Sequence, residues 1–195
     1  MIEKYIPKFL DMLYVDSVLE CIALEEIRDA FHSNQIISKK QAAIAFKHLP
    51  AQPRNVLYIG SWIGFLTHYI CDNYPAIKIS ELDLDERCKA ISKRFNCHFD
   101  NYVESYTGDV FDFDRLAEYD TVINLSCEHM PTEWYDLIPA GTDVVLQSNN
   151  FKIPTHTNTC ETLKEMCCKY PLTSVYYIEE TELNAYTRFT LAGKK

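Results

Sequence analysis

The chain has 195 residues, of which 47% are hydrophobic and 13% aromatic, so it can bury a core of domain size. This composition excludes an intrinsically disordered or collagen-like protein. Lysine and arginine together number 19 against 28 aspartates and glutamates, which gives a formal net charge of -9. Nucleic acid is therefore a disfavoured partner, although a local basic cleft is compatible with the acidic total.

The segment 1–8 contains charges and a proline where a secretory signal needs a continuous apolar core. No uninterrupted apolar run reaches the ~18 residues that span a bilayer. These features predict a cytoplasmic protein with no membrane association. The eight cysteines include no C-x-x-C pair, and in that setting we expect free thiols instead of disulfides. The oligomeric state has no sequence signal.

Residues 1–50 have a helical pattern that differs from the rest of the chain. Apolar residues recur there at helical spacing, and Ser38–His48 begins with a serine suited to an N-cap. Pro50 and Pro53 then end the helix, because the residue before a proline disfavours the α region. We therefore expect a helical cap over 1–50 and a core over 51–195, in one compact domain.

From residue 55 onward, short apolar β-type runs alternate with helical segments, which is typical of a parallel sheet covered by helices on both faces. The predicted strands are Val56–Ile59, Ile77–Leu82, Tyr102–Tyr106, Thr121–Ile123 and Val144–Leu146. The predicted helices are Gly64–Cys71, Glu86–Phe95, Thr132–Leu137 and Thr159–Cys168.

The chain closes with two further β-rich runs, Ser174–Ile178 and Ala185–Leu191. The segment between them is too short for a helical crossover, so these two runs should pair antiparallel. The predicted fold is therefore an α/β fold of three layers: a Rossmann-like, doubly wound, mostly parallel sheet that ends in an antiparallel β-hairpin, with an N-terminal helical extension.

The first predicted strand runs into a glycine turn at Gly60, and Gly64 opens the next helix. Backbone N–H groups and a helix N-terminus at such a turn face a ligand at the strand's carboxyl end. Glycine lets that ligand approach the backbone. A tight turn that only packs a helix on the sheet would use the same two glycines, so this pattern alone is weak.

Polar residues also follow the next three strands. Asp83 lies about 20 residues beyond the glycine turn, where an acidic side chain in such folds binds a ribose diol. Its alternative role, which equally suits Asp85, is to cap the following helix. Gly108 and Asp109 end the third strand, and Asn124 ends the fourth. Because the carboxyl ends of parallel strands meet at one edge, these residues predict a ligand crevice.

In the order of these features the sequence resembles the class I S-adenosylmethionine-dependent methyltransferases, over roughly residues 55–192. That family has a glycine-rich first turn, acidic residues after strands two and three, a cofactor-side or catalytic loop after strand four, and a terminal antiparallel hairpin. The resemblance implies an enzyme that binds S-adenosyl-L-methionine and transfers its methyl group to a small molecule or a protein side chain.

The resemblance also implies roles for single residues. Asp83 would bind the ribose, Asp109 beside Val110 the adenine, and the turn at Gly60 the methionine portion. The expected cofactor-binding residues are Tyr58, Gly60, Ser61, Trp62, Gly64, Asp83, Leu84, Asp109, Val110 and Asn124.

Two positions depart from the family's pattern. Tyr58 stands where the family usually has an acidic residue, and a phenol supplies no negative charge to the cofactor's ammonium group. Trp62 stands where a second glycine is usual; its ring either stacks on the cofactor or packs against the N-terminal helices. The departures leave open aminocarboxypropyl transfer, cleavage of the cofactor, or an inactive cofactor-binding partner subunit.

The loop Asn124–His129 is the candidate for catalysis. His129 has an ordinary pKa suited to a base, and Glu128 either acts directly or orients it. The alternative is that both residues merely open the next helix. Nucleic-acid base methylation is disfavoured, because the two prolines and the stacking aromatic residue that follow the equivalent asparagine in amino-methyltransferases are Leu-Ser-Cys here.

Metal binding and cysteine chemistry have weaker signals. Cys127 has no second cysteine at ligand spacing and is expected to be a small buried hydrophobic residue. His156 and Cys160 have a spacing compatible with a metal pair, but two ligands make a weak site, so no metal is predicted. The amides of Gln147–Asn150 either read a substrate or, as we favour, form an Asx-type turn that caps the fifth strand.

Overall fold

The computed structural model describes residues 2–18, 23–99 and 102–195. Its α-helices are α1 (Ile6–Val18), α2 (Leu24–Ala30), α3 (Ser33–Lys47), α4 (Phe65–Asn73), α5 (Glu86–Phe95) and α6 (Leu163–Lys169). Its strands are β1 (Asn55–Ile59), β2 (Lys78–Asp83), β3 (Val103–Thr107), β4 (Thr121–Asn124), β5 (Asp143–Asn149), β6 (Ser174–Glu182) and β7 (Thr187–Lys194). None of the described helices has both the length and the apolar character needed to cross a membrane.

The strands form one sheet in the order β3-β2-β1-β4-β5-β7-β6. Strands β1 to β5 are parallel, whereas β7 lies antiparallel between β5 and β6. The strand order reverses between β1 and β4, and ligands of doubly wound sheets bind at such a switch point. The predicted α/β fold with its terminal hairpin is thus confirmed.

The central strand β1 shows why this sequence forms a two-sided sheet. Its side chains alternate, as the period of two in a strand requires. Val56 and Tyr58 belong to a core cluster shared with the N-terminal helices, α4 and α5. Leu57 and Ile59 belong to a second cluster on the opposite face, which contains Trp134. All four side chains are buried, so only an apolar run fits here.

Helix α3 begins earlier than predicted and belongs to the sheet's layers. Its N-cap is His32, and Ser38 lies buried within the helix. The Ser38 hydroxyl donates to Gln147 Oε1 at 2.6 Å, and Gln147 Nε2 donates to the Ser38 carbonyl at 2.9 Å. The predicted N-cap role of Ser38 is therefore wrong, because its hydroxyl binds β5. Whether residues 1–50 act as a separate cap stays a prediction.

Two other elements of the structure differ from their predicted type or bounds. The segment Thr132–Leu137 is a 3-10 helix, not an α-helix. Strand β5 continues to Asn149, whose Oδ1 accepts a hydrogen bond from the Phe151 N–H at 2.8 Å. The Asx-type turn therefore begins at Asn149, and the prediction is wrong for Gln147 and Ser148, which stay inside the sheet because β5 is longer than expected.

Candidate active site

A cavity of about 530 Å³ opens at the carboxyl ends of β1 to β4. It is lined by the loops after these strands, by α3 and by β7. Ten of the residues predicted for the site line it: Tyr58, Gly60, Ser61, Trp62, Asp83, Leu84, Asp109, Val110, Glu128 and His129. The cavity therefore lies at the switch point, where the topology alone would place a ligand.

The glycine turn after β1 is tied to the end of β2. Gly60 has a φ of 64°, and its N–H donates to the Leu82 carbonyl at 2.8 Å. Trp62 also has a left-handed φ, 51°, which is uncommon for a bulky residue. Its N–H donates to Asp83 Oδ2 at 2.8 Å, so the carboxylate stabilises the strained backbone of this turn beside the cavity.

The capping role considered for the two acidic residues at the end of β2 falls to Asp85. Asp85 is the N-cap of α5, and its carboxylate accepts from the Arg87 N–H at 2.9 Å. Asp83 accepts from the N–H groups of Trp62 and Asp85 and lines the cavity. The carboxylate of Asp83 is thus available to a ligand.

Gly64 and Asn124 lie outside the cavity lining. A Cβ atom on Gly64, whose φ is 70°, would lie 2.0 Å from Ser92 Oγ and 2.7 Å from Glu81 Oε1. Gly64 therefore permits close packing of the turn on α5. Asn124 is fully buried, and its Oδ1 accepts from the Ser126 N–H at 2.8 Å. Both residues shape loops at the edge of the site.

A buried polar network around Glu81 packs against the glycine turn. Glu81 is 1% exposed and accepts hydrogen bonds from the hydroxyls of Thr67, Ser92 and Ser105. Burial raises the pKa of Glu81 above its ordinary value, although the three hydroxyls work against this shift. Nearby on α4, burial lowers the pKa of His68 to about 4.

The side of the cavity at the end of β3 combines a carboxylate with apolar side chains at its mouth. Asp109 caps a short 3-10 turn through Oδ1, which accepts from the Phe111 N–H at 3.0 Å. Leu84 and Phe111 line the cavity although they are 72% and 44% exposed. Exposed apolar side chains at a cavity mouth are typical of a ligand-binding site.

Lys39 enters the cavity from α3 and was missed by the sequence analysis. It is 6% exposed, its Nζ lies 5.6 Å from the centroid of the Trp62 ring, and it donates to Gln35 Oε1 at 3.3 Å. Burial, aided by Arg188, lowers the pKa of Lys39 to about 8. A buried cation on a helix of the predicted cap has no local sequence signal.

The packing role of Trp62 is confirmed, whereas stacking on a cofactor stays a prediction. Trp62 lines the cavity, and it also packs against the cluster that contains the N-terminal helices. Tyr58, at the other departure from the family's pattern, is 2% exposed. Burial raises the pKa of Tyr58 far above its ordinary value, so the phenol stays neutral.

Where the cavity borders β7 and the loop after β4, it contains a buried ion pair. Glu128 is 2% exposed, and its Oε1 accepts from Arg188 Nη1 at 3.0 Å and from Asn149 Nδ2 at 2.5 Å. Within the part of the chain that the structure describes, Glu128 Oε2 is buried and has no hydrogen-bond partner. Burial acts to lower the pKa of Arg188, but Glu128 and Tyr186 raise it above its ordinary value. Arg188 therefore remains charged.

His129 lies beside this pair but is oriented by the backbone. Its Nδ1 lies 3.1 Å from the Thr155 carbonyl, so Thr155 takes the orienting role that was considered for Glu128. The His156 ring packs edge-on against it, with centroids 4.5 Å apart. Burial lowers the pKa of His129, with Glu128 opposing the shift, so the imidazole is neutral near pH 7.

The cysteines behave as predicted within the described residues. Cys127 is fully buried, and burial raises its pKa well above the ordinary value. Cys160 is also fully buried and packs in the second core cluster. All described cysteines are free thiols, whereas Cys21 lies outside the described residues.

Comparisons with known proteins give fold relatives only. No protein-family model and no curated protein matches the sequence. An O-methyltransferase from Bacillus cereus in complex with SAH has a TM-score of 0.62 at 17% identity, over 96% of this chain and 90% of that one. N-methyltransferase NodS from Bradyrhizobium japonicum has a TM-score of 0.63 at 11% identity, over 85% and 98%.

A third similar structure is an O-methyltransferase family protein from Burkholderia thailandensis, with a TM-score of 0.56 and 15% identity. The match covers 85% of this chain but only 59% of that one. At these identities the likeness establishes the fold, and the predicted resemblance to the class I methyltransferases is confirmed at that level.

Proposed function

We propose that this chain is an S-adenosylmethionine-dependent methyltransferase that acts on a small molecule. The observation that carries the proposal is the convergence of Asp83, Asp109 and the Gly60 turn with the loop of His129 in one cavity at the switch point of the sheet. The O- and N-methyltransferases among the similar structures, some of them with SAH or SAM bound, support the same cofactor.

The nucleoside would bind at the ends of β2 and β3. Asp83 accepts hydrogen bonds from the ribose hydroxyls, in the geometry that a carboxylate offers to a diol. Asp109 accepts from the adenine amine, while Leu84 and Phe111 cover the faces of the ring.

The methionine portion would bind between β1 and α3. The Lys39 ammonium pairs with the cofactor's carboxylate, since it is the buried cation on that side of the cavity. Asp29 also lines the cavity and lies near enough to Lys39 to affect its pKa. Asp29 supplies the negative charge for the cofactor's ammonium that Tyr58 lacks.

The acceptor would lie on the side of the β4 loop. Its lone pair attacks the methyl carbon, the carbon–sulfur bond breaks, and the sulfonium becomes the neutral thioether of S-adenosylhomocysteine. Alignment of these three atoms supplies much of the acceleration. His129 contributes a neutral imidazole with a lone pair on this side, so the proton of a protic acceptor has a place to go.

Calorimetric titration with S-adenosylmethionine tests the cofactor. We expect one equivalent to bind, and no binding at millimolar cofactor would overturn the proposal. Product analysis then tests the chemistry with pooled candidate acceptors: S-adenosylhomocysteine supports methyl transfer, whereas methylthioadenosine contradicts it and supports aminocarboxypropyl transfer or cleavage. His129→Gln should lower turnover and spare cofactor binding.

A further inference from the structure

Three side chains that ligate metals in other proteins meet beside the cavity. Glu128 and His129 follow β4, and His156 comes from the segment after β5. One potential ligand atom from each lies within 4.8 Å of the other two. A single ion at ordinary metal–ligand distances of ~2.1 Å holds its ligand atoms roughly 3 to 4.2 Å apart, so these three groups need only a small approach to share one ion.

Both histidines are in the tautomer that metal binding needs. Nδ1 of His129 lies 3.1 Å from the Thr155 carbonyl, and Nδ1 of His156 lies 2.7 Å from the Phe151 carbonyl. Because a carbonyl only accepts hydrogen bonds, each Nδ1 carries the proton and each neutral ring has its lone pair on Nε2. Metal-bound histidines are held in the same way, with the distant ring nitrogen donating to a carbonyl or carboxylate.

Glu128 adds an independent indication. Its side chain is 2% exposed, and Oε1 already binds Arg188 and Asn149, yet Oε2 is buried with no partner among the described residues. A buried carboxylate oxygen that binds nothing is costly to keep. A cation at Oε2 would remove that cost, while the bonds at Oε1 fix the orientation of the carboxylate as a ligand.

We propose that Glu128, His129 and His156 bind a divalent transition-metal ion, and that this ion coordinates the oxygen of the methyl acceptor. The acceptor class is a small molecule with a metal-coordinating hydroxyl group. The acceptor part of this inference rests on the proposed methyltransferase function, whereas the metal site itself does not.

The ligand set determines which metals fit. Two imidazoles and one carboxylate suit Zn²⁺, Fe²⁺ and Co²⁺, whereas Mg²⁺ and Ca²⁺ prefer oxygen ligands. Arg188 strengthens this preference, because its charge offsets that of Glu128 and leaves the imidazole nitrogens as the main source of affinity. Three protein ligands also leave coordination positions open for an acceptor.

The ion would act on the acceptor's proton. A divalent ion lowers the pKa of a hydroxyl that it binds, and the proton passes to solvent. The resulting oxygen anion forms the bond to the methyl carbon as the carbon–sulfur bond breaks. With Nε2 of His129 bound to the ion, proton removal no longer depends on that imidazole as a base.

Cobalt titration of the chelator-treated, full-length protein tests the site without an activity assay. We expect one equivalent of Co²⁺ to bind with visible ligand-field bands, and Zn²⁺ but not Mg²⁺ to displace it. His156→Gln should weaken binding at least ~10-fold. The exposed His98 is the control, and His98→Gln should bind Co²⁺ like the parent. Equal binding by both variants would overturn the proposal.

A second variant distinguishes the loss of a metal ligand from misfolding. His156→Cys keeps a ligand at the position, so it should bind Co²⁺ with an added thiolate-to-cobalt charge-transfer band. Absence of that band in a variant that unfolds at the parent's temperature would contradict the site.

Activity measurements separate the two proposals. Chelation should abolish turnover and leave S-adenosylmethionine binding unchanged. Turnover that survives chelation would overturn the metal-bound acceptor alone, because His129 would then act as a base. Absence of cofactor binding would overturn the methyltransferase function. The cobalt titration would still test the metal site independently.

Discussion

At the ends of β2 and β3, the carboxylates of Asp83 and Asp109 bind backbone N–H groups of nearby loops, whereas the carboxylate of Glu128 after β4 binds side chains from β5 and β7. The first two are partly exposed, and Glu128 is buried. We name these regions after the proposed function, as the cofactor end and the acceptor end of the cavity.

The difference lies in how each end stabilises its polar groups. Beneath the cofactor end, buried groups are held mainly by neutral partners: hydroxyls around Glu81 and an amide beside a neutral His68. At the acceptor end an ionised pair is removed from water, so each charge depends on the other. Substitutions at the two ends should therefore destabilise the protein for different physical reasons.

The largest effect is expected at the acceptor end. Arg188→Met leaves the buried Glu128 charge without its cation and should lower the free energy of unfolding by about 3 to 5 kcal/mol. The double variant Glu128→Gln/Arg188→Met should recover most of that loss. Urea unfolding measures both, and a single-variant loss below ~1 kcal/mol would mean that the pair behaves like an exposed one.

At the cofactor end, Gly64→Ala should lower the free energy of unfolding by about 3 kcal/mol. The new Cβ would meet Ser92 Oγ at 2.0 Å in a left-handed conformation, so strain and overpacking add. Gly141→Ala is the matched control: its φ is 87° with nothing within 4 Å of the Cβ, and strain alone should cost about 1 kcal/mol. Equal losses by urea unfolding would refute the packing role of Gly64.

The neutral histidine beneath the cofactor end predicts a pH dependence. An unfolded His68 gains a proton as the pH falls through 6.5, whereas in the folded protein it does so only at about 4. Stability therefore decreases as the pH falls from 6.5 to 4, by up to roughly 3 kcal/mol from this group.

Comparison with His68→Gln isolates this contribution from those of other groups, such as Glu81. The difference in unfolding free energy between parent and variant should shift over that pH window and stay constant from pH 7 to 8. A difference that does not depend on pH would show that His68 is not buried as a neutral group.

The smallest of these effects is confined to ligand binding. Asp83→Ala should weaken S-adenosylmethionine binding by about 2 kcal/mol, the value of a charged hydrogen-bond acceptor. Asp83→Asn removes the charge but keeps an oxygen for the Trp62 N–H, at the cost of the acceptor for the Asp85 N–H, so its loss should be no larger than that of Asp83→Ala. The exposed Asp114 lies outside the cavity, so Asp114→Ala should titrate like the parent. Full affinity in both Asp83 variants would show that the ribose does not bind at the end of β2.

The contrast between the two ends also explains which parts could be predicted from sequence. Asp83 and Asp109 were predicted because strand runs, glycine turns and the spacing to an acidic residue are local patterns. Helix α5 was predicted with its bounds, since an N-cap and an amphipathic pattern mark it.

The acceptor end is assembled from distant parts of the chain, so local patterns could not predict it. Arg188 and Lys39 reach the cavity only through sheet pairing and the packing of α3. Arg188 carried one usable signal, a charge within an otherwise β-type run. His156 had been considered with Cys160, but its neighbour in space is His129. Tertiary packing therefore decides which pairs form.

The buried amine on α3 has a consequence for the thermodynamics of ligand binding. With a pKa of about 8, Lys39 is half neutral at pH 8, and a carboxylate that binds beside it draws a proton from the buffer. Binding heats measured in Tris and in phosphate should then differ in proportion to the fraction of a proton taken up. The same measurement at pH 6.5, where Lys39 is already charged, should give equal heats in both buffers.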